Sequence, residues 1–199
     1  MKKSLLLLPI ALIAMALALT ACGGGSSSSG GGEEAAIEEA IETSATSTDP
    51  SKCTEVQTEA FNEEETGATG EESLEICEKK AGSEPAESVT VSNISEAGET
   101  GTAEVEIEGA GLEGQAVEVA MAKEEGDWKL NEVVGFTSYD PAGIASTLEE
   151  KLAEEEGVSA SLAKCVSEGV EEMSQKEAEA MVFEKNNEGV EEIANACNE

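Results

Sequence analysis

Histidine and arginine are both absent from this chain, and aromatic side chains make up only 3% of it. Without imidazole there is no side chain that ordinarily titrates near neutral pH, and imidazole general bases and metal ligands are excluded. Without guanidinium there is no bidentate clamp for phosphate or carboxylate. The 11 cationic side chains are all Lys, set against 44 acids of which only Asp49, Asp127 and Asp140 are not Glu. The formal charge of −33 argues against nucleic acid as a partner, because that binding is driven by basic side chains neutralising phosphates.

What is present begins with a targeting pattern. Met1-Lys2-Lys3 is a short positive start, and Leu5 to Leu19 is an apolar run. A membrane-spanning helix needs about 20 residues, so this run reads as a signal segment, and no later stretch is apolar enough to cross a bilayer. The run ends in Leu19-Thr20-Ala21-Cys22, which resembles the lipobox of bacterial lipoprotein signal peptides. That resemblance implies cleavage before Cys22, lipidation of its thiol with more than one acyl chain (palmitate among them), and a lipid-anchored protein on the extracytoplasmic face of the cell membrane. One acyl chain holds only marginally at about 0.8 kcal/mol per buried methylene, whereas two or three hold stably. Residues 1–21 are then the signal peptide and 22–32 a Gly/Ser tether with a root-mean-square span of roughly 17–19 Å. Such a tether exceeds the ~8 Å screening length and lets an acidic domain stand clear of anionic headgroups.

Cys53, Cys77, Cys165 and Cys197 are left over, an even number in an exported chain, and read as two disulfides. Four cysteines allow three pairings. A composition break between the pairs favours Cys53–Cys77 with Cys165–Cys197, each worth roughly 3–4 kcal/mol in the chain-entropy description. No Cys-x-x-Cys occurs and His is lacking, so neither a metal nor a redox role is expected of these thiols.

Periodicity divides the rest. Ile37, Ala40 and Ile41 make a stripe among Glu residues, and Cys53, Val56, Gln57, Ala60 and Phe61 predict one second helix opened by Asp49-Pro50. Thr69 and Glu72 predict a capping box for a third helix, with Leu74, Cys77 and Ala81 on one face and Gly82 as its stop. From Ser88 to Phe136 the period becomes two, with Gly-containing turns, which predicts a four-stranded antiparallel meander with one buried and one Glu-rich face. Beyond it, Asp140-Pro141 starts helices again, with stripes at Ile144, Leu148 and Leu152 and then at Leu162, Cys165, Val166, Gly169 and Met173. A Ser174/Glu177 capping box precedes Ala178, Met181 and Val182, and Val190, Ile193, Ala194 and Cys197 form the last stripe. The fold class is α+β.

Residues 33–138 resemble the nuclear transport factor 2-like domains of small exported bacterial lipoproteins. The likeness rests on the Ala/Ile first helix, the Cys53 and Cys77 helical pair, and the closing Gly126-Asp127-Trp128-Lys129-Leu130. It implies N-terminal helices packed on a curved four-stranded sheet in a cone-like arrangement, with Phe61 and Trp128 as candidate pocket walls. Residues 139–199 then form a helical C-terminal subdomain.

Three patterns invite a chemical reading and lose to simpler ones. Gly109-Ala110-Gly111-Leu112-Glu113-Gly114 matches a dinucleotide fingerprint, but strand-like residues follow it and Glu113 repels phosphate, so a hairpin turn is expected. Ser161-Leu162-Ala163-Lys164 matches the nucleophile motif of penicillin-interacting enzymes without its companion elements. Carboxylate clusters such as Glu154-Glu155-Glu156 would take divalent cations only weakly, since no EF-hand-like loop accompanies them. The sequence therefore predicts a non-catalytic, lipid-anchored binding module without cofactor or resident metal, whose partners are the membrane through Cys22 and an envelope protein or small apolar ligand. A small-molecule receptor using the pocket and a polyanionic coat that buffers cations are the alternatives.

Overall fold

The computed structural model describes residues 31–83, 85–109, 112, 114–155 and 158–198. The signal-like segment, Cys22 and the stretch to Gly30 lie outside the described residues. Four strands, β1 (Ala86–Ala97), β2 (Thr100–Gly109), β3 (Gln115–Glu124) and β4 (Asp127–Ser138), form one antiparallel sheet in the order β1-β2-β3-β4. Four helices precede it: α1 (Gly31–Thr46), α2 (Lys52–Glu55), α3 (Glu59–Thr66) and α4 (Glu71–Lys80). Four follow it: α5 (Pro141–Glu154), α6 (Ala160–Glu171), α7 (Gln175–Val182) and α8 (Glu188–Cys197).

The alternation builds the sheet as expected. Ala103 and Val105 of β2 and Val117, Val119 and Met121 of β3 are all buried on one face, with Val105 opposite Val117 and Ala103 opposite Val119. On the other face Glu104 stands opposite Glu118. α1 lies against β1 and β4 and buries Ile37 and Ile41 completely or nearly so. In β4 the register slips three times against β3, which puts Val133 partly in the core and leaves Val134 52% exposed. At one of these slips Gly135 has φ +155°, and a Cβ there would lie 3.0 Å from Oε1 of Glu179. The bare backbone lets that carboxylate accept the Phe136 N–H at 3.0 Å, tying α7 to β4.

The tail joins the same core. Phe136 meets Phe183 with ring centroids 4.8 Å apart and Tyr139 at 5.4 Å. Val166, Val170 and Ala178 belong to the buried cluster that also holds Ile37 and the sheet residues. Both disulfides join the pairs expected, Cys53–Cys77 between α2 and α4 and Cys165–Cys197 between α6 and α8.

Four expectations about helix ends are corrected. The helix expected through Cys53 and Phe61 is two, α2 and α3. Leu130 N–H donates to Val56 O and Thr58 N–H to Leu130 O, both at 2.9 Å. β4 is an edge strand with unpaired backbone groups, and bonding to that edge displaces helical bonds over these residues. Thr58 then caps α3 by accepting the Phe61 N–H at 3.1 Å. Asp49-Pro50 forms a turn ahead of α2 instead of its cap, with Asp49 Oδ1 accepting from Ser51 N–H. No Thr69/Glu72 box forms. Gly70 holds the cap position at φ +58°, and its N–H donates to Glu63 of α3 at 2.8 Å. Gly31 and Gly32, expected in the tether, are instead the first residues of α1. By contrast, Asp140 caps α5 with Pro141 in the first turn, and the Ser174/Glu177 box forms in both directions.

Candidate functional site

The period-two faces of β2 and β3 and the stripe of α1 do not close completely on one another. Between them runs a cleft of about 530 Å³. Its sheet wall is Val105, Ile107, Val117, Val119, Leu130 and Val133, and its helical wall includes Ile41, Phe61 and the Cys53–Cys77 pair. Val182 and Phe183, at the end of α7, also line it. The break at residues 56–58 matters here, because restarting the helix at Glu59 brings Phe61 onto this wall while Leu130 stays bonded to the incoming chain.

Polar side chains in the wall are tied down by the protein. Gln57 Nε2 donates to Ser44 Oγ at 2.8 Å, Asn62 Nδ2 to Cys53 O at 2.7 Å, and Thr66 Oγ1 to Asn62 O at 2.6 Å. Such bonds meet the cost of burying amide and hydroxyl groups and leave an apolar lining. Charged groups line the cleft as well: Asp49, Lys52, Glu65, Lys80 and Lys185. Lys52 is bonded to Glu55, whose carboxyl is held below the usual range chiefly by that hydrogen bond. Lys185 donates to Val182 O at 3.0 Å and lies 3.8 Å from Glu65.

The two candidate wall residues are separated. Phe61 lines the cleft, whereas Trp128 is only 4% exposed and lies at a second depression of about 640 Å³. There its indole N–H donates to Glu33 at 2.6 Å, and Lys123 donates to both Glu33 oxygens at 2.8 and 2.7 Å. Lys123 also stands 5.5 Å from the Trp128 ring centroid. These bonds, Lys123 first and Trp128 second, hold the Glu33 carboxyl below its ordinary range. The cluster fastens the start of α1 to the β3–β4 hairpin, so Trp128 acts as a structural support.

The tempting motifs resolve into structure. Gly109 ends β2 and Gln115 begins β3, with Gly114 N–H donating to Ile107 O at 3.2 Å across the hairpin. Ser161 is exposed beside Ser159, while Lys164 lies 3.8 Å from Glu168. Among the described residues no group of three or more Cys, Asp or Glu is placed to hold a metal ion, and no helix is long and apolar enough to cross a membrane. Cys22 lies outside the described residues. Sequence reasoning missed Lys80, Lys185, Val182 and Phe183 at the cleft. The scarcity of Lys and Phe is the signal that could have singled them out. No protein-family model, curated protein or solved structure matches this chain.

Proposed function

We propose that this chain is a lipid-anchored cell-envelope protein whose folded part is a non-catalytic binding module, and that the cleft holds its ligand, a small and mostly apolar molecule. The observation that carries this reading is the cleft itself. Its volume of about 530 Å³ lies within the roughly 300–1,000 Å³ of small-molecule sites, and most of the surface it presents is apolar, although polar and charged side chains share the walls. Gln57, Asn62 and Thr66 in the wall spend hydrogen bonds on neighbours, which leaves its apolar surface to face a ligand. Helices followed by a four-stranded meander fit the cone-like nuclear transport factor 2-like arrangement, which would make the cleft the interior of the cone. The lipobox-like Leu19 to Cys22 supplies the anchor, and residues 22–30 the distance between membrane and α1.

Thermal unfolding of the oxidised chain against sterol-like, aromatic and aliphatic compounds, glycans and Ca²⁺ tests the reading. A ligand that binds only the folded state stabilises by about 2.7 kcal/mol at 100 times its dissociation constant. The expected result is a raised midpoint with an apolar compound. A midpoint raised only by Ca²⁺ and lost in moderate salt would replace this reading with a charged coat.

A further inference from the structure

The charges at the cleft are not explained by its apolar lining. In a chain of net charge −33, Lys52, Lys80 and Lys185 line it against only two acids, Asp49 and Glu65. Each acid has a lysine beside it. Glu65 is 3.8 Å from Lys185, and Asp49, drawn below its ordinary range mainly by hydrogen bonds from Ser51, also feels Lys52. Lys80 is exposed at the C-terminal end of α4 and makes no ion pair among the described residues. A cation near a helix C-terminus favours the helix dipole, but Lys79 occupies the same turn and pairs with Glu75 at 3.3 Å. Lys52 is taken up by Glu55 and Lys185 lies beside Glu65, so Lys80 is the lysine of the lining without an ion pair among the described residues.

We propose that the ligand of the cleft is an amphiphilic anion: one apolar body lying on the half-buried Ile107, Val133 and Val182, with a single carboxylate-like head beside Lys80. This rests on the reading of the cleft as a binding site and names the ligand class. A monoanionic head gives Lys80 a counter-charge, a neutral head gains nothing from it, and a cationic head is repelled by it. At 0.15 M salt the screening length is about 8 Å, so a head beside Lys80 responds to that ammonium more than to charges farther away.

The test is calorimetric titration of the full oxidised chain in lipid nanodiscs, with empty discs as the blank, using decanoate, decan-1-ol and decyltrimethylammonium at about 0.15 M NaCl. An exposed ion pair changes affinity by only a small factor. Decanoate is therefore expected to bind about threefold tighter than decanol and about tenfold tighter than the cation. Lys80→Gln, at an exposed position, is expected to abolish the advantage over decanol and leave decanol affinity unchanged. Equal binding of the three probes, or preference for the cation, overturns the anion assignment and leaves the cleft as a binding site. Decanoate preference that survives Lys80→Gln overturns the placement of the head. Binding of none of the three overturns the cleft reading itself.

Discussion

Lys185 is held in a conformation that costs the protein stability. Its φ of +56° lies in the left-handed region, where a side chain with a Cβ is disfavoured by roughly 1–2 kcal/mol. The strained residue follows α7 and carries the Asn186 N–H back to Ala180 O at 2.9 Å, which closes the helix end. Glycine is the usual solution at such an end. Lysine there places an ammonium at the cleft beside Glu65. Lys185→Gly is therefore expected to raise unfolding free energy by roughly 0.5–1 kcal/mol, the relieved strain less the extra entropy of an unfolded glycine. Chemical denaturation measures this. A loss of stability would mean that the contacts of the Lys185 side chain outweigh its backbone strain.

At the scale of elements, the seam between α6 and α8 combines a covalent bridge with a close glycine contact. Cys165 and Gly169 are one turn apart on α6, and Ile193 and Cys197 are one turn apart on α8. The antiparallel helices thus set disulfide against disulfide half and glycine against isoleucine. A Cβ on Gly169 would lie 2.4 Å from Cγ2 of Ile193. By helix propensity Gly169→Ala gains about 1 kcal/mol. Here the methyl needs α8 to move away while the adjacent Cys165–Cys197 bridge holds it, and overpacking costs about 1–3 kcal/mol. The variant is expected to lose stability by up to about 2 kcal/mol in denaturant titrations. Gain of stability would show that α8 is free to shift.

The same scale shows what could be read in advance. The strands were legible because alternation such as Ala103-Glu104-Val105-Glu106-Ile107 has one structural meaning, and the disulfide pairs because each falls within one helical region. The break after Val56 was not, because the edge of β4 that captures Val56 and Thr58 is far along the chain and leaves the helical stripe intact in the sequence. Asp-Pro shows the limit of local signals: at Asp140 it caps a helix, and at Asp49 it makes a turn whose helix starts later. Of the cleft, Phe61 was legible because it ends an apolar stripe. Trp128 lies at the second depression and braces Glu33, a placement that a lone Trp beside a turn does not reveal in the sequence. Lys80 and Phe183 reach the cleft only through the packing of α4 and α7.

For the whole molecule the dominant electrostatic fact is self-repulsion. A net charge of −33 disfavours the compact state, and the directly opposed Glu104 and Glu118 on the sheet are a local instance. Added salt screens this repulsion, and mild acid removes charge toward the sequence pI of about 4.1. Glu64 works in the same direction. Burial first, then Glu132 and Glu65, push its carboxyl above the ordinary range, so folding gains stability as pH falls through its folded value. Glu33 opposes the trend. Lys123 and Trp128 hold its carboxyl low, so its contribution is complete above the unfolded carboxyl value near 4.5 and is lost as pH falls through the folded value. Stability should therefore rise from pH 7 toward about pH 5, and fall below about pH 4 as Glu33, Asp49 and Glu177, all held low, become protonated. Denaturant midpoints across this range, at about 10 mM and about 0.5 M NaCl, measure both effects. At pH 7 the midpoint is expected to climb with salt. In Glu33→Gln the acid-side fall should be shallower than in the natural chain, because one of the groups that loses its bonds on protonation is gone. A midpoint at pH 7 indifferent to salt would mean that the acidic surface is spaced widely enough to carry its charge without cost. An unchanged acid limb in Glu33→Gln would place the acid sensitivity in the remaining carboxylates rather than in the latch that holds α1 to the β3–β4 hairpin.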